Sequence, residues 1–147
     1  MHPKILNELI LICKILEEKK VQYLMVGGFA VGLHCYSRMT SNNVGVILEK
    51  QDFDFWYNPT YENYYYLLEA LGAIGHNVDK FKKEQTLNPF QSFFKFNLPN
   101  YTLDFLPIIT GLEKFSESYY KKETLKIEDI EISFICFDDL IINKHST

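Results

Sequence analysis

Acidic and aromatic side chains alternate along residues 52–57, Asp-Phe-Asp-Phe-Trp-Tyr, and Asn58-Pro59 closes the run. A period of two, rich in aromatics and ended by a turn pair, predicts a β-strand. Asp52 and Asp54 then share one face and Phe53 and Phe55 the other. Upstream the period is helical. Ile5, Leu6, Leu9, Ile12, Cys13 and Leu16 mark one apolar face over residues 3–19, and Pro3 suits a first turn. Residues 21–26, VQYLMV, predict a short strand running into Gly27-Gly28. FAVGLHCYS after the glycines has the length and apolar character of a helix, weakened by Gly32. SRMTSNNVG reads as loop, and VGVILEK allows a further strand leading into residue 52.

Downstream, Thr60 is suited to cap a helix over YENYYYLLEAL that stops at Gly72. A polar loop with Lys80, Lys82 and Lys83 follows. SFFKFNL (92–98), the turn Pro99-Asn100 and YTLDFLPI (101–108) predict a β-hairpin, and GLEKFSESYY a short helix. TLKI, an acidic turn at Glu128-Asp129 and EISFICF predict a second hairpin. Asp138 is placed to cap a last helix, DLIINKH. The order α-β-α-β-α-β-β-α-β-β-α predicts an α+β protein, a mixed β-sheet with flanking helices, and no internal repeat or linker divides it.

Composition narrows the picture. A chain of 147 residues suits a single domain, 1–147, with one core. An apolar fraction of 47% excludes extensive disorder, and 16% aromatics means a core built on Phe and Tyr. The net charge of −4 argues against a broad basic surface for duplex nucleic acid. Cys13, Cys35 and Cys136 lie far apart in apolar surroundings without ligand spacing, which predicts buried free thiols in a reducing compartment. The apolar run ILNELILICKIL is interrupted by Asn7 and Glu8, is too short to span a bilayer, and lacks a cleavage pattern. A cytoplasmic protein without a membrane partner is expected.

The acidic strand carries the candidate chemistry. Two carboxylates two residues apart on one strand face stand roughly 6–7 Å from each other. At an effective dielectric near 20 their repulsion costs about 2–3 kcal/mol. Water offsets that cost if the face is solvated. A divalent cation offsets it if the face is a site, since Mg²⁺ takes oxygen ligands and commonly uses one or two carboxylates plus substrate phosphates. YTLDFL offers a third acid, Asp104, flanked by Leu103 and Phe105 that point the other way. If that strand lies beside 52–57, all three acids project from one surface among large apolar residues, where uncompensated charge is expensive.

YLMVGGFAV adds a strand, two glycines and a helix start. Glycine lets backbone approach a ligand closely, and a helix N-terminus offers free N–H groups to phosphate. Taken together, VGGFAVGLHCYSR-T, DFDFW and LDFL resemble the polymerase-β-like nucleotidyltransferase superfamily, above all the small bacterial proteins grouped with AbiEii-type toxin nucleotidyltransferases. The likeness runs from about residue 21 to the end. It implies a nucleotidyltransferase-like fold and transfer of a nucleoside monophosphate from a nucleoside triphosphate to an acceptor hydroxyl of a small molecule, an RNA end or a protein. By position it assigns Gly27 and Gly28 to the phosphate turn. Asp52, Asp54 and Asp104 become catalytic acids holding two Mg²⁺ ions, with Asp104 activating the acceptor. Arg38, Thr40 and Lys144 become nucleotide-binding residues. It also implies an alternative, an inactive descendant that binds nucleotide or protein, for instance beside an antitoxin partner.

The chain departs from that family twice. Residues 41–50, SNNVGVILEK, separate the R-x-T from the D-x-D, which in relatives follow almost directly. The chain also stops at KHST, where relatives continue into a basic helix. The remaining polar residues have plainer readings. His34 and His76 have no partner at metal-ligand spacing, and His34, on an apolar helix, reads as packed or locally hydrogen-bonded. Tyr61, Tyr64, Tyr65 and Tyr66 read as core and rim of an amphipathic helix, and the lysines at 80–83 as a solvated loop.

Overall fold

In the computed structural model, which describes residues 3–36, 52–84 and 87–146, six strands form one mixed sheet in an α+β architecture. Helix α1 (Pro3–Glu18) is followed by strand β1 (Tyr23–Val26), helix α2 (Gly27–Tyr36) and strand β2 (Asp52–Tyr57). Helix α3 (Tyr61–Ile74), the single turn α4 (Asp79–Lys82), strands β3 (Phe94–Asn97) and β4 (Thr102–Leu106) and helix α5 (Phe115–Tyr120) come next. Strands β5 (Glu123–Ile127) and β6 (Ile130–Phe134) and helix α6 (Phe137–His145) complete the order. The expected strand within 44–50, with Arg38 and Thr40 before it, lies outside the described residues.

The sheet order is β3-β4-β2-β1-β6-β5. β1 runs antiparallel to β2 and parallel to β6, and β2 runs parallel to β4. Both expected hairpins form, β3 with β4 and β5 with β6. The second turns at Glu128 and Asp129, both with positive φ as a tight two-residue hairpin turn requires, a conformation that Asp adopts more readily than most residues.

Alternation divides the sheet into two faces. Phe53, Phe55, Leu103 and Phe105 are fully buried against α1 and α3, whose Leu9, Cys13, Leu16, Tyr64, Leu67 and Leu71 belong to the same core. Phe55 and Phe105 stack across the strands with ring centroids 4.8 Å apart. On the opposite face Leu24, Val26, Ala30, Trp56, Ile109, Phe115, Ile135 and Leu140 make a smaller cluster. Trp56 donates its indole N–H to the Pro107 carbonyl at 3.0 Å, fixing the chain that leaves β4.

Several boundaries shift for identifiable reasons. Helix α3 passes through Gly72 and ends at Gly75, whose φ of 118° supplies the left-handed cap; its N–H reaches the Leu71 and Gly72 carbonyls. Thr60 caps the start as expected, accepting from the Asn63 N–H at 3.1 Å. Helix α6 starts at Phe137 with Cys136 at the N-cap position and no side-chain cap, so Asp138 lies inside the first turn. Lys80 and Lys82 lie on the turn α4 rather than in a loop, because the Asn77 side chain accepts from the Asp79 N–H and starts it. All three cysteines are free, but only Cys13 is buried; Cys35 and Cys136 are half-buried. Among the described residues no helix is long and apolar enough to cross a membrane.

Candidate functional site: an acid pair under a glycine turn

Parallel pairing of β2 and β4 sets Asp54 directly opposite Asp104, and Asp52 opposite Thr102. The flanking phenylalanines and leucine are drawn into the core, so all three carboxylates stand on the other face. Asp54 and Asp104 are half-buried and share a hydrogen bond. Burial, the Asp104 charge and that hydrogen bond, with a smaller push from Asp52, raise the Asp54 carboxyl to about 7; Lys95 opposes the shift. One oxygen of the pair, Asp104 Oδ1, is buried with no hydrogen-bond partner.

Asp52 behaves differently. It is exposed at the start of β2 and accepts a hydrogen bond from the Thr102 hydroxyl at 2.8 Å. The acids therefore form a contacting pair with a third carboxylate next along the strand, rather than one tight triad. Among the described residues no group of three His, Cys, Asp or Glu side chains is gathered to hold a metal ion.

The glycine turn closes over the pair. Strand β1 delivers Val26 opposite Asp54, and Gly27 turns the chain into α2 with φ of 72°. A Cβ on Gly27 would stand 2.5 Å from Asp54 Oδ2, so backbone and carboxylate meet at a distance no other residue permits. Gly28 is different: a Cβ there would meet nothing within 4 Å. Phe29, one residue on, packs edge-on against Phe53 with centroids 5.0 Å apart, which ties the start of α2 to the strand bearing the acids. The free N–H groups at the start of α2 thus lie beside the acid pair.

The donor set fits a hard divalent cation. Two touching carboxylates, one of them retaining a proton near neutrality, and an unpartnered buried oxygen all lack the positive charge that such an ion brings. Two protein carboxylates, completed by water and phosphate oxygens, match the way Mg²⁺ is usually held.

Other expected residues lie elsewhere. Lys144, on the last turn of α6, lines a cavity of about 300 Å³ with Val31, His34, Cys35, Phe137, Leu140 and Ile141, beyond the first turn of α2. His34 is buried and its Nε2 donates to the Ile135 carbonyl at 2.8 Å, in keeping with a packed histidine. His76 stacks on Phe96 with centroids 3.7 Å apart. Tyr64 is buried in the core, whereas Tyr61 and Tyr65 are exposed rim.

One residue was not anticipated. Lys95 on β3 pairs in register with Asp104, so it joins the row Lys95–Asp104–Asp54 on the open face. The signal was present, since a hairpin closed at Pro99-Asn100 puts position 95 opposite 104. In comparisons with known proteins no family model matches the chain, and no curated protein or solved structure matches it at a significant level.

Proposed function

We infer that this protein is a metal-dependent nucleotidyltransferase that moves a nucleoside monophosphate from a nucleoside triphosphate to an acceptor hydroxyl. The observation that carries the reading is the Asp54–Asp104 pair, opposed across two parallel strands and pressed against the Gly27 backbone at the start of a helix. A carboxylate pair beside free helix N–H groups combines cation affinity with phosphate affinity in one place. Mg²⁺ held there supplies the Lewis acidity that eases deprotonation of the acceptor and neutralises the leaving pyrophosphate.

The chain's own groups divide the remaining work. The Gly27-Gly28 turn holds phosphate oxygens through backbone N–H groups, and the open space at Gly28 leaves room for them. Asp104 takes the proton from the acceptor hydroxyl, and Asp54, opposite it on the next strand, would hold the cation with it. Asp52, oriented by Thr102, adds negative charge at the entrance.

Incubation with each radiolabelled nucleoside triphosphate, Mg²⁺ and a cell extract tests the reading. Transfer of label to a discrete acceptor, lost in Asp54→Asn, supports it; equal labelling by both proteins overturns it. A second reading, a non-catalytic nucleotide- or protein-binding module such as one half of a toxin–antitoxin pair, is favoured by the attachment of Asp52 to Thr102 instead of to the acid pair. That reading expects nucleotide binding by calorimetry with no label transferred.

A further inference from the structure

A cavity of about 320 Å³ lies at the end of β1 remote from the glycine turn. Tyr23, the first residue of that strand, lines it, so roughly 13 Å of extended chain separates it from Gly27. Its size reaches the range usual for small-molecule sites. Two charges of each sign stand on its walls. Glu17 and Lys20 come from the end of α1, Lys122 from the turn into β5, and Glu131 from β6. The ion pairs among the described residues are His34–Glu123, Lys82–Glu69 and Lys121–Asp139, so none of the four makes a salt bridge with another.

Both lysines are anchored, one by its side chain and the other by its backbone. The Lys122 ammonium donates to the Ser133 hydroxyl at 3.1 Å and rests 4.2 Å from the centre of the Tyr119 ring. An ammonium has three donors, so Lys122 keeps capacity for a ligand. Lys20 follows α1 with φ of 63°, a left-handed conformation that glycine usually supplies at a helix end. Its N–H reaches the Glu17 carbonyl at 3.0 Å, and the Val21 N–H reaches the Leu16 carbonyl at 2.9 Å, which fixes the turn. Glycine would relax this backbone, yet the position carries a lysine whose side chain lines the cavity. Strain kept at such a place points to a use for the side chain.

We propose that this cavity binds a free α-amino acid with an uncharged side chain. Its carboxylate lies against Lys20 and Lys122, and its ammonium against Glu17 and Glu131. A simple anion drawn to the lysines would be opposed by the glutamates, and a simple cation by the lysines. A zwitterion satisfies both signs at once. Val21 and the Tyr119 ring, in the same wall, give its side chain apolar surface. The site shares no residue with the acid pair or the glycine turn, so this inference stands apart from the nucleotidyltransferase reading.

Calorimetry on the full chain, titrated with the uncharged L-amino acids one at a time, tests this. At least one should bind. Its N-acetyl derivative keeps only the negative charge and its amide only the positive one. Each should bind at least about tenfold more weakly, the scale of one charged hydrogen bond. Lys122→Met and Lys20→Gly should each weaken binding of the parent amino acid by a similar factor. Lys20→Gly should do so with the melting temperature unchanged or raised, since glycine takes the positive φ at no steric cost. Loss of binding in that variant is then loss of the ammonium and not of the fold. Binding by none of the amino acids overturns the proposal. Equal binding of the derivatives, or undiminished binding by either variant, overturns it as well.

Discussion

Gly27 and Asp54 meet so closely that the missing Cβ of the glycine would stand 2.5 Å from Oδ2 of the carboxylate. The contact joins the end of β1 to the middle of β2, and it makes the glycine turn and the acidic strand parts of one object. Asp54 in turn faces Asp104 across the next strand.

Two neighbouring glycine substitutions should therefore separate fold from function. Gly27→Ala places a side chain at φ of 72° and drives it into Asp54. The backbone conformation alone costs about 1–2 kcal/mol, so urea denaturation should show a loss of at least that size. Gly28→Ala meets open space in the protein and should leave stability unchanged or slightly raised. If the turn binds phosphate, the same alanine should weaken triphosphate binding in calorimetry, because it occupies room that only a ligand uses.

The acid pair should leave its mark on the pH dependence of stability. Asp54 is raised from an ordinary 3.8 to about 7, chiefly by burial and then by Asp104. The folded chain thus holds a proton that the unfolded chain releases at lower pH. Its contribution is full below about pH 4 and is lost as the pH rises to about 7. Thermal melts at pH 5 and pH 8 should show a steeper decline for the parent than for Asp54→Asn. Parallel curves would mean that the two carboxylates do not share a proton.

Divalent cations should compete with that proton. Above pH 7 Asp54 is ionised, so Mg²⁺ should raise the melting temperature more at pH 8 than at pH 6. Asp54→Asn and Asp104→Asn should each abolish the increment. Differential scanning calorimetry with and without the metal reads this directly, and an increment equal at both pH values counts against a cation held by the pair.

The positions of β1 and β2 depend on a buried amide far from the acids. Asn63 accepts from the Gln22 N–H at 2.7 Å and donates to the Gln22 and Asn58 carbonyls at 3.0 and 2.8 Å. One side chain on α3 thereby ties the entrance of β1 to the exit of β2. Asn63→Ala should cost about 2–3 kcal/mol in urea denaturation, since partly buried backbone groups lose their partners together. A loss below half a kcal/mol would show that water replaces the amide.

The chain's periodicities were enough to find the elements. Strict alternation over 52–57 and 102–106 and the helical stripe over 3–19 reflect constraints that act within one element, where each apolar residue must face the core. The hairpins were legible because Pro99-Asn100 and Glu128-Asp129 act locally. Ends were less legible. Gly72 and Gly75 look alike in sequence, and only the second adopts the left-handed cap. The start of α6 was misplaced because Asp138 reads as a cap, whereas the chain enters that helix two residues earlier, with Cys136 at the cap position.

Sequence by itself determined which residues share a face, because side-chain direction follows from chain position within a strand or helix. It placed Asp52 with Asp54, and Asp104 opposite Leu103 and Phe105. Tertiary structure decided which strands are neighbours, and with that which charges meet. The β2–β4 pairing joined Asp54 to Asp104, left Asp52 with Thr102 and put the hairpin residue Lys95 in line with both acids, while the packing of α6 on α2 set Lys144 at the far half of α2. Strand order is fixed by how the whole set of apolar faces packs against α1 and α3, and a cooperative sum of that kind is written in no single stretch of the chain.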